Sequence, residues 1–234
     1  MIKRLIHSLG RSYLDRVLRG ESGAQRFKRW NERPVEFRFV FEQLTRLCGT
    51  AQTVLDVGTG TTALPHLMAN CGFVVTAIDN VRDYWDEGMV NRHFHVIDDD
   101  ITRSGMKTES HDVVTCVSVL EHIPPHLEAM RNMHRVLRAG GHLILTVPYH
   151  ETEYHPNVYE HPESSIGKGL PYVGQSYSRA ELGQWLELGF EVVEQEHWCM
   201  WSGKLWTCGE KLNPPRRTSP GEPHQLTCLL LRKR

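Results

Sequence analysis

A carboxylate ahead of a two-glycine turn, and a second carboxylate further on, are the residues of this chain most able to do chemistry. Asp56 stands two residues before Gly58, Thr59 lies between Gly58 and Gly60, and Asp79 follows nineteen residues after Gly60. Glycines accept dihedral angles closed to other residues and let a ligand touch the backbone. A helix beginning after such a turn points its N–H groups at that ligand. An ionised acid only accepts hydrogen bonds, so Asp79 suits the two hydroxyls of a ribose. Turn and acid together describe a nucleoside site at the carboxyl edge of a sheet. Each residue also has a plainer reading: Gly58 and Gly60 as turn formers, Asp79 as a helix cap.

A dinucleotide fold offers the same two features and must be separated. Its fingerprint needs a third glycine for close helix packing beside a pyrophosphate, where this chain has Ala63, and no lysine stands ready for a phosphate. Asp56 is poorly placed for a pyrophosphate but can hold the ammonium of an amino acid, directly or through water. A nucleoside carrying an amino acid is S-adenosylmethionine (SAM).

The elements that would position these residues alternate between short apolar runs and helical ones. Strands are expected at 54–57, 74–78, 95–97, 113–117, 143–147, 190–194 and 226–231, with Gly140-Gly141 turning the chain into the fifth. Helices are expected at about 63–70, 127–137 and 178–188, the last opened by Ser178 and Glu181 as a capping box. A further helix opens at Pro34 and ends near Gly49. Buried strands separated by helices imply an α/β fold with a doubly wound, mostly parallel, seven-stranded Rossmann-like sheet. The last two strands, with no helix between them, suggest an antiparallel final strand. Residues 149–177 are too long for an ordinary connection and read as an inserted acceptor-binding segment.

Residues 54–72 resemble motif I of the class I SAM-dependent methyltransferases, and four further segments fall where that family expects them. The resemblance spans 36–193. It implies that Asp56, Gly58, Thr59 and Gly60 form the donor loop, and that Asp79, followed by Asn80, is the ribose acid. Asp100 would bind the adenine amino group and Ile101 its ring, although Asp98 and Asp99 compete for the acidic role. Residues 111–124 (HDVVTCVSVLEHIP) are similar to the segment that brings the Ser118 backbone to the methionine end of SAM. Ser118 could equally just end a strand. Residues 135–148 (RVLRAGGHLILTVP) resemble the helix, glycine pair and fifth strand of the family. Where the family commonly has a third loop glycine, this chain has Thr62.

Methyl transfer needs an acceptor atom held in line with the departing sulfur, and a base where the acceptor is a hydroxyl. His122, beside Glu121 and just after the fourth strand, is the candidate base; the alternative is a packing role. Tyr149, His150 and His155 follow the fifth strand, where the family often binds its acceptor. His150, His155 and His161 match no ligand spacing, so no metal is expected. The segment 33–39 (RPVEFRF) and the late helix resemble bacterial methyltransferases of glycans or other metabolites, which implies a small-molecule or glycan acceptor and O- or N-methylation. No Asp-Pro-Pro-Tyr motif follows the fourth strand, and the net charge is −1, so a nucleic-acid partner is not expected. A non-catalytic SAM-binding module and a nicotinamide-dependent oxidoreductase are the competing classes.

Charge divides the chain. Residues 1–30 hold eight Lys/Arg against Asp15 and Glu21, a net +6, so the remainder carries −7. Ile2, Leu5, Ile6, Leu9, Tyr13, Val17 and Leu18 recur at helical spacing among the arginines, giving a basic amphipathic arm that ends near Gly20. It could pack on its own domain or a partner, or, through residues 1–20, touch an anionic membrane surface. Six cysteines without paired spacing suggest reduced thiols and a cytoplasmic location, membrane-peripheral if the arm docks. Residues 31–234 are expected to form the methyltransferase domain.

Overall fold

The computed structural model describes residues 2–24, 32–85 and 88–234. The chain falls into two units, Met1–Trp30 and Asn31–Arg234. In the first, α1 (Ile2–Ala24) is a single amphipathic helix that continues through Gly20, four residues beyond its expected end. Ile2, Leu5, Ile6, Leu9 and Tyr13 on it are exposed. The basic residues Arg26, Lys28 and Arg29 lie outside the described residues. No helix among the described residues is long and apolar enough to cross a membrane.

The second unit is built on one sheet: β1 (Thr53–Val57), β2 (Val74–Asp79), β3 (Val96–Asp98), β4 (His111–Val117), β5 (Leu137–Pro148), β6 (Phe190–Trp201), β7 (Lys211–Thr218) and β8 (Leu226–Lys233). Their order is β3-β2-β1-β4-β5-β8-β6-β7. Neighbours from β3 to β5 pair in parallel, whereas β8 is antiparallel to both β5 and β6. Alternation along each strand sends side chains to opposite faces. Leu55, Val114, Cys116, Leu143 and Leu145 enter one core with Met130 and Met133 of α5 (His126–Val136) and Trp185 of α6 (Arg179–Glu187). Val54, Val113 and Ile144 enter the other with Phe39 and Leu44 of α2 (Glu32–Leu47) and Met68 of α3 (Leu64–Asn70). Helices on both faces make the sheet doubly wound. The order of β1 and β4 reverses the direction of winding, which opens a crevice at their carboxyl ends.

The sheet has eight strands and not the expected seven. The additional strand, β7, contains Pro214 and Pro215 in a stretch that reads as polar loop. Proline removes a ladder donor and is confined to edges, and β7 is the edge strand, paired only with β6. That pairing also carries β6 on to Trp201, beyond its expected end at Glu194. Similarly, Gly140-Gly141 does not introduce β5 but lies inside it, where the register against β4 shifts between His111 and Val113. A Cβ on Gly141 would sit 2.9 Å from the Arg138 carbonyl oxygen, so the irregularity needs glycine there.

Helix α6 begins with the capping box expected from the sequence. The Ser178 hydroxyl accepts from the Ala180 N–H at 3.1 Å, and Glu181 Oε2 accepts from the Ser178 N–H at 3.0 Å. Replacing Ser178 by Ala should lower stability by about 1 kcal/mol, read as an earlier urea midpoint with unchanged slope. An unchanged midpoint would mean that this cap does not hold α6.

Candidate active site

The turn after β1 is shaped by close approach. Gly58 (φ +69°) and Gly60 (φ +54°) both lie in the left-handed region, where glycine alone is unstrained. A Cβ on Gly58 would stand 2.3 Å from Val119. Behind the turn, Asp56 is almost fully buried and accepts hydrogen bonds from the Thr59 and Thr115 hydroxyls, each at 2.6 Å. Burial raises its pKa to about 6, and the two hydroxyls oppose that rise.

Asp79 ends β2 with its carboxylate facing the same turn. Oδ2 accepts from the Gly60 N–H at 2.7 Å and Oδ1 from the Trp85 indole N–H at 3.0 Å. Asn80 caps α4 (Val81–Tyr84) by accepting from the Asp83 N–H. The three consecutive acids after β3 divide their work. Asp98 accepts from the Val81 and Arg82 N–H groups, and Asp99 from the Ser104 hydroxyl at 2.6 Å. Asp100 caps the single turn of 3-10 helix Ile101–Arg103 through the Thr102 N–H at 2.9 Å. Asp99, Asp100 and the buried Ile101 all border the cleft.

Opposite them, Ser118 turns the chain away from β4 with φ +51°, a conformation costly for a residue with a Cβ. Its hydroxyl donates to Glu36, a side chain with no exposed surface, and the Thr146 hydroxyl donates to the same Oε1 at 2.8 Å. Arg33 pairs with the other oxygen of Glu36 at 3.0 Å. Four residues on, His122 reaches the cleft wall. Its Nδ1 lies 2.7 Å from the Val173 carbonyl, which accepts a proton and nothing else, so Nδ1 carries the hydrogen and Nε2 keeps its lone pair. Burial, supported by the Arg33 charge, lowers the pKa of this imidazole. The rings of Tyr172, Tyr159 and Tyr84 surround it, with centroids at 5.1, 6.4 and 6.5 Å. Glu121 points inward instead. It is fully buried, and burial lifts its pKa to about 8.

Asp56, the glycine turn, Asp79, Asp99, Asp100, Ser118 and His122 line one cleft of about 990 Å³. Residues 25–195 match a methyltransferase-domain family. The chain belongs to the class I SAM-dependent methyltransferases. It is 31% identical over 192 residues to the ubiquinone biosynthesis O-methyltransferase of Pseudomonas paraeruginosa, covering 71% of this chain and 79% of that one. The protein of the same name from Coxiella burnetii is 25% identical over 166 residues, with 67% and 69% covered. Among solved structures, the 1,6-didemethyltoxoflavin-N1-methyltransferase of Burkholderia thailandensis, with bound S-adenosylhomocysteine, superposes with a TM-score of 0.56 at 16% identity, over 97% of this chain and 89% of that one. A SAM-dependent methyltransferase of Archaeoglobus fulgidus gives 0.54 at 16% identity, over 84% and 94%.

SAM is the cofactor of this methyltransferase, and the cleft fits it. The glycine turn presents backbone to the cleft, the Asp79 carboxylate could accept from ribose hydroxyls, and Asp99, Asp100 and Ile101 border the same space, where they would meet an adenine. Asp56, Thr59, Asn80 and Ser118 border the same cleft. Asp56 already accepts from two hydroxyls, so contact with the ammonium of SAM would run through the turn or a water. The cleft also draws on residues the sequence did not single out: Arg33, Phe37, Tyr84, Trp85, Pro171 and Tyr172. Tyr149, His150 and His155 do not border it. Tyr149 is buried against His224, the His150 ring accepts from the Glu153 N–H, and His155 forms a bridge with Ser176. The inserted segment meets the cleft through Pro171 and Tyr172, with Val173 behind them.

Replacing Asp79 by Ala removes one charged acceptor worth about 1.5–3 kcal/mol. Affinity for S-adenosylhomocysteine should fall on the order of 10–100-fold by calorimetry, with folding retained. Equal affinity in the variant would remove Asp79 from the donor site.

Proposed function

We propose that this enzyme transfers the methyl group of SAM to a hydroxyl of a small aromatic acceptor, with His122 as the general base. The single observation behind this reading is the His122 imidazole, fixed through Nδ1 on the Val173 carbonyl with Nε2 left to accept a proton inside an aromatic wall. The sulfonium of bound SAM supplies an electrophilic methyl and a good leaving group. An acceptor hydroxyl must lose its proton as the new bond forms, and a neutral imidazole below its ordinary pKa is suited to take it. Tyr84 and Tyr172 offer ring faces on which a flat acceptor can stack. Phe37 adds a further apolar wall. A glycan would find fewer hydrogen-bonding partners on these surfaces, so a small aromatic molecule is the favoured class. The relatives named as O-methyltransferases of ubiquinone biosynthesis support a hydroxyl acceptor.

Replacing His122 by Ala should lower kcat on a hydroxyl acceptor by about 10²–10⁴-fold while S-adenosylhomocysteine affinity changes little. Because burial lowers its pKa, the neutral form of His122 is favoured at neutral pH, so wild-type kcat/KM should hold there. It should decline only as acid protonates the ring, and the variant should lack that acidic limb. Retention of both rate and limb in the variant would refute the assignment.

The basic helix α1 fits peripheral contact with an anionic bilayer, where its apolar face would enter and its arginines meet headgroups. Full-length protein should co-sediment with phosphatidylglycerol vesicles, but not with phosphatidylcholine alone, and should be released by high salt. Deleting residues 1–24 should abolish binding; persistence without them would place any contact elsewhere.

A further inference from the structure

Away from the cleft, three side chains from distant parts of the sequence bring bare ligand atoms to one point. Glu151 follows β5, His197 lies on β6, and His224 stands two residues before β8. His197 and His224 are each about 95% buried. His224 Nε2 lies 3.8 Å, and His197 Nε2 4.0 Å, from Glu151 Oε2. Each of these three atoms is buried and has no hydrogen-bond partner, and the same holds for the neighbouring Tyr149 hydroxyl. One such atom left unpaired costs about 1–3 kcal/mol. Four together, on side chains otherwise well anchored, are difficult to explain as packing alone.

We propose that Glu151, His197 and His224 bind a divalent first-row transition-metal ion of the zinc type. Two imidazoles and one carboxylate are a donor set such ions favour, with a fourth position for water or a phenol. The three ligand atoms lie within 4.8 Å of one another. A tetrahedral ion with bonds of about 2.0–2.1 Å would hold them about 3.3 Å apart, so side-chain shifts of an ångström or less close the site. The outer contacts already suit a metal. His224 Nδ1 lies 2.7 Å from the Glu222 carbonyl, which fixes its proton there and frees Nε2, the support usual for a metal-bound histidine. Arg179 donates to Glu151 Oε1 and leaves Oε2 turned inward. The Tyr149 ring stacks on His224 at 5.7 Å.

None of the three residues borders the SAM cleft, so the ion would have a structural role. It would tie the root of segment 149–177 to β6 and to the start of β8. A second group of three, His161, Glu163 and Cys208, is less suited: its His161 Nδ1 already faces the Glu163 N–H and the Cys208 thiol.

The test uses full-length protein stripped with chelator, then titrated with Zn(II) and, separately, Co(II). About one ion per chain should bind, Co(II) should develop visible bands of a four-coordinate nitrogen–oxygen site, and Zn(II) should raise the melting temperature. Glu151→Gln and His224→Gln should each weaken Zn(II) affinity at least on the order of 10–100-fold, the cost of losing even an outer-shell partner. Cys208→Ser should bind as the wild type does. The wild-type titration stands even if a variant fails to fold. No ion bound by wild-type protein, or binding lost in Cys208→Ser but kept in Glu151→Gln, would overturn the proposal.

Discussion

Glu36 accepts hydrogen bonds from the Ser118 and Thr146 hydroxyls and faces the Arg33 guanidinium, with no surface of its own exposed. A carboxylate taken out of water is tolerated only when such partners surround it. Because those partners come from α2, from the turn after β4 and from β5, the contact locks three elements at the mouth of the crevice. It also accounts for Ser118. A left-handed conformation persists when its surroundings over-determine it, and here the side chain is held by Glu36 while its N–H donates to the Thr146 carbonyl at 3.1 Å. Asp56 repeats the device one strand away with Thr59 and Thr115. Two acids, each gripped by two hydroxyls, thus hold the ends of β1 and β4 in place, and the strands between which a ligand binds need no ligand to keep their spacing.

That rigidity contrasts with the Asp79 carboxylate, which is held by one backbone N–H and one indole. The Gly60 bond belongs to the turn and has no reason to change. The Trp85 bond is a single neutral donor, and two ribose hydroxyls offer two. Exchange of one bond for two, at an acid bordering the cleft, would favour a nucleoside, and Gly60 and Trp85 keep the carboxylate paired without one. A buried acid without that indole would carry a desolvation cost of its own.

The parts legible in the sequence are those set by local rules. Short apolar runs between helical stretches located the parallel strands, the glycine turn and Asp79 located the crevice, and Ser178 with Glu181 located a helix start. Residues 211–218 were not legible as a strand, because their prolines argue against one unless the sheet edge is known. Glu36 and Arg33 look like ordinary surface charges of an amphipathic helix, and the burial of Glu36 follows only from where β4 and β5 end. The tyrosines of the cleft wall, Tyr84 and Tyr172, come from separate segments with no shared periodicity. Tyr149, His150 and His155 follow β5, yet they pack against His224, Glu153 and Ser176 and do not line the cleft.

The two halves of the cleft are therefore made by different means. The donor side consists of glycine backbone, short acids and strand ends, groups whose positions follow from the sheet itself. The wall opposite consists of rings contributed by connections, and it is shaped by contacts among those connections. Gln175 donates to the Glu121 and Ile123 carbonyls, and the Tyr177 hydroxyl donates to the Leu120 carbonyl. These bonds clamp segment 149–177 over the turn that bears His122, and Val173 in that segment selects the tautomer of its ring. His122, the proposed base, is thus oriented by the same segment that lends Tyr172 to the cleft wall. A change in segment 149–177 would alter which acceptor fits and which imidazole nitrogen faces it together, without disturbing the glycine turn.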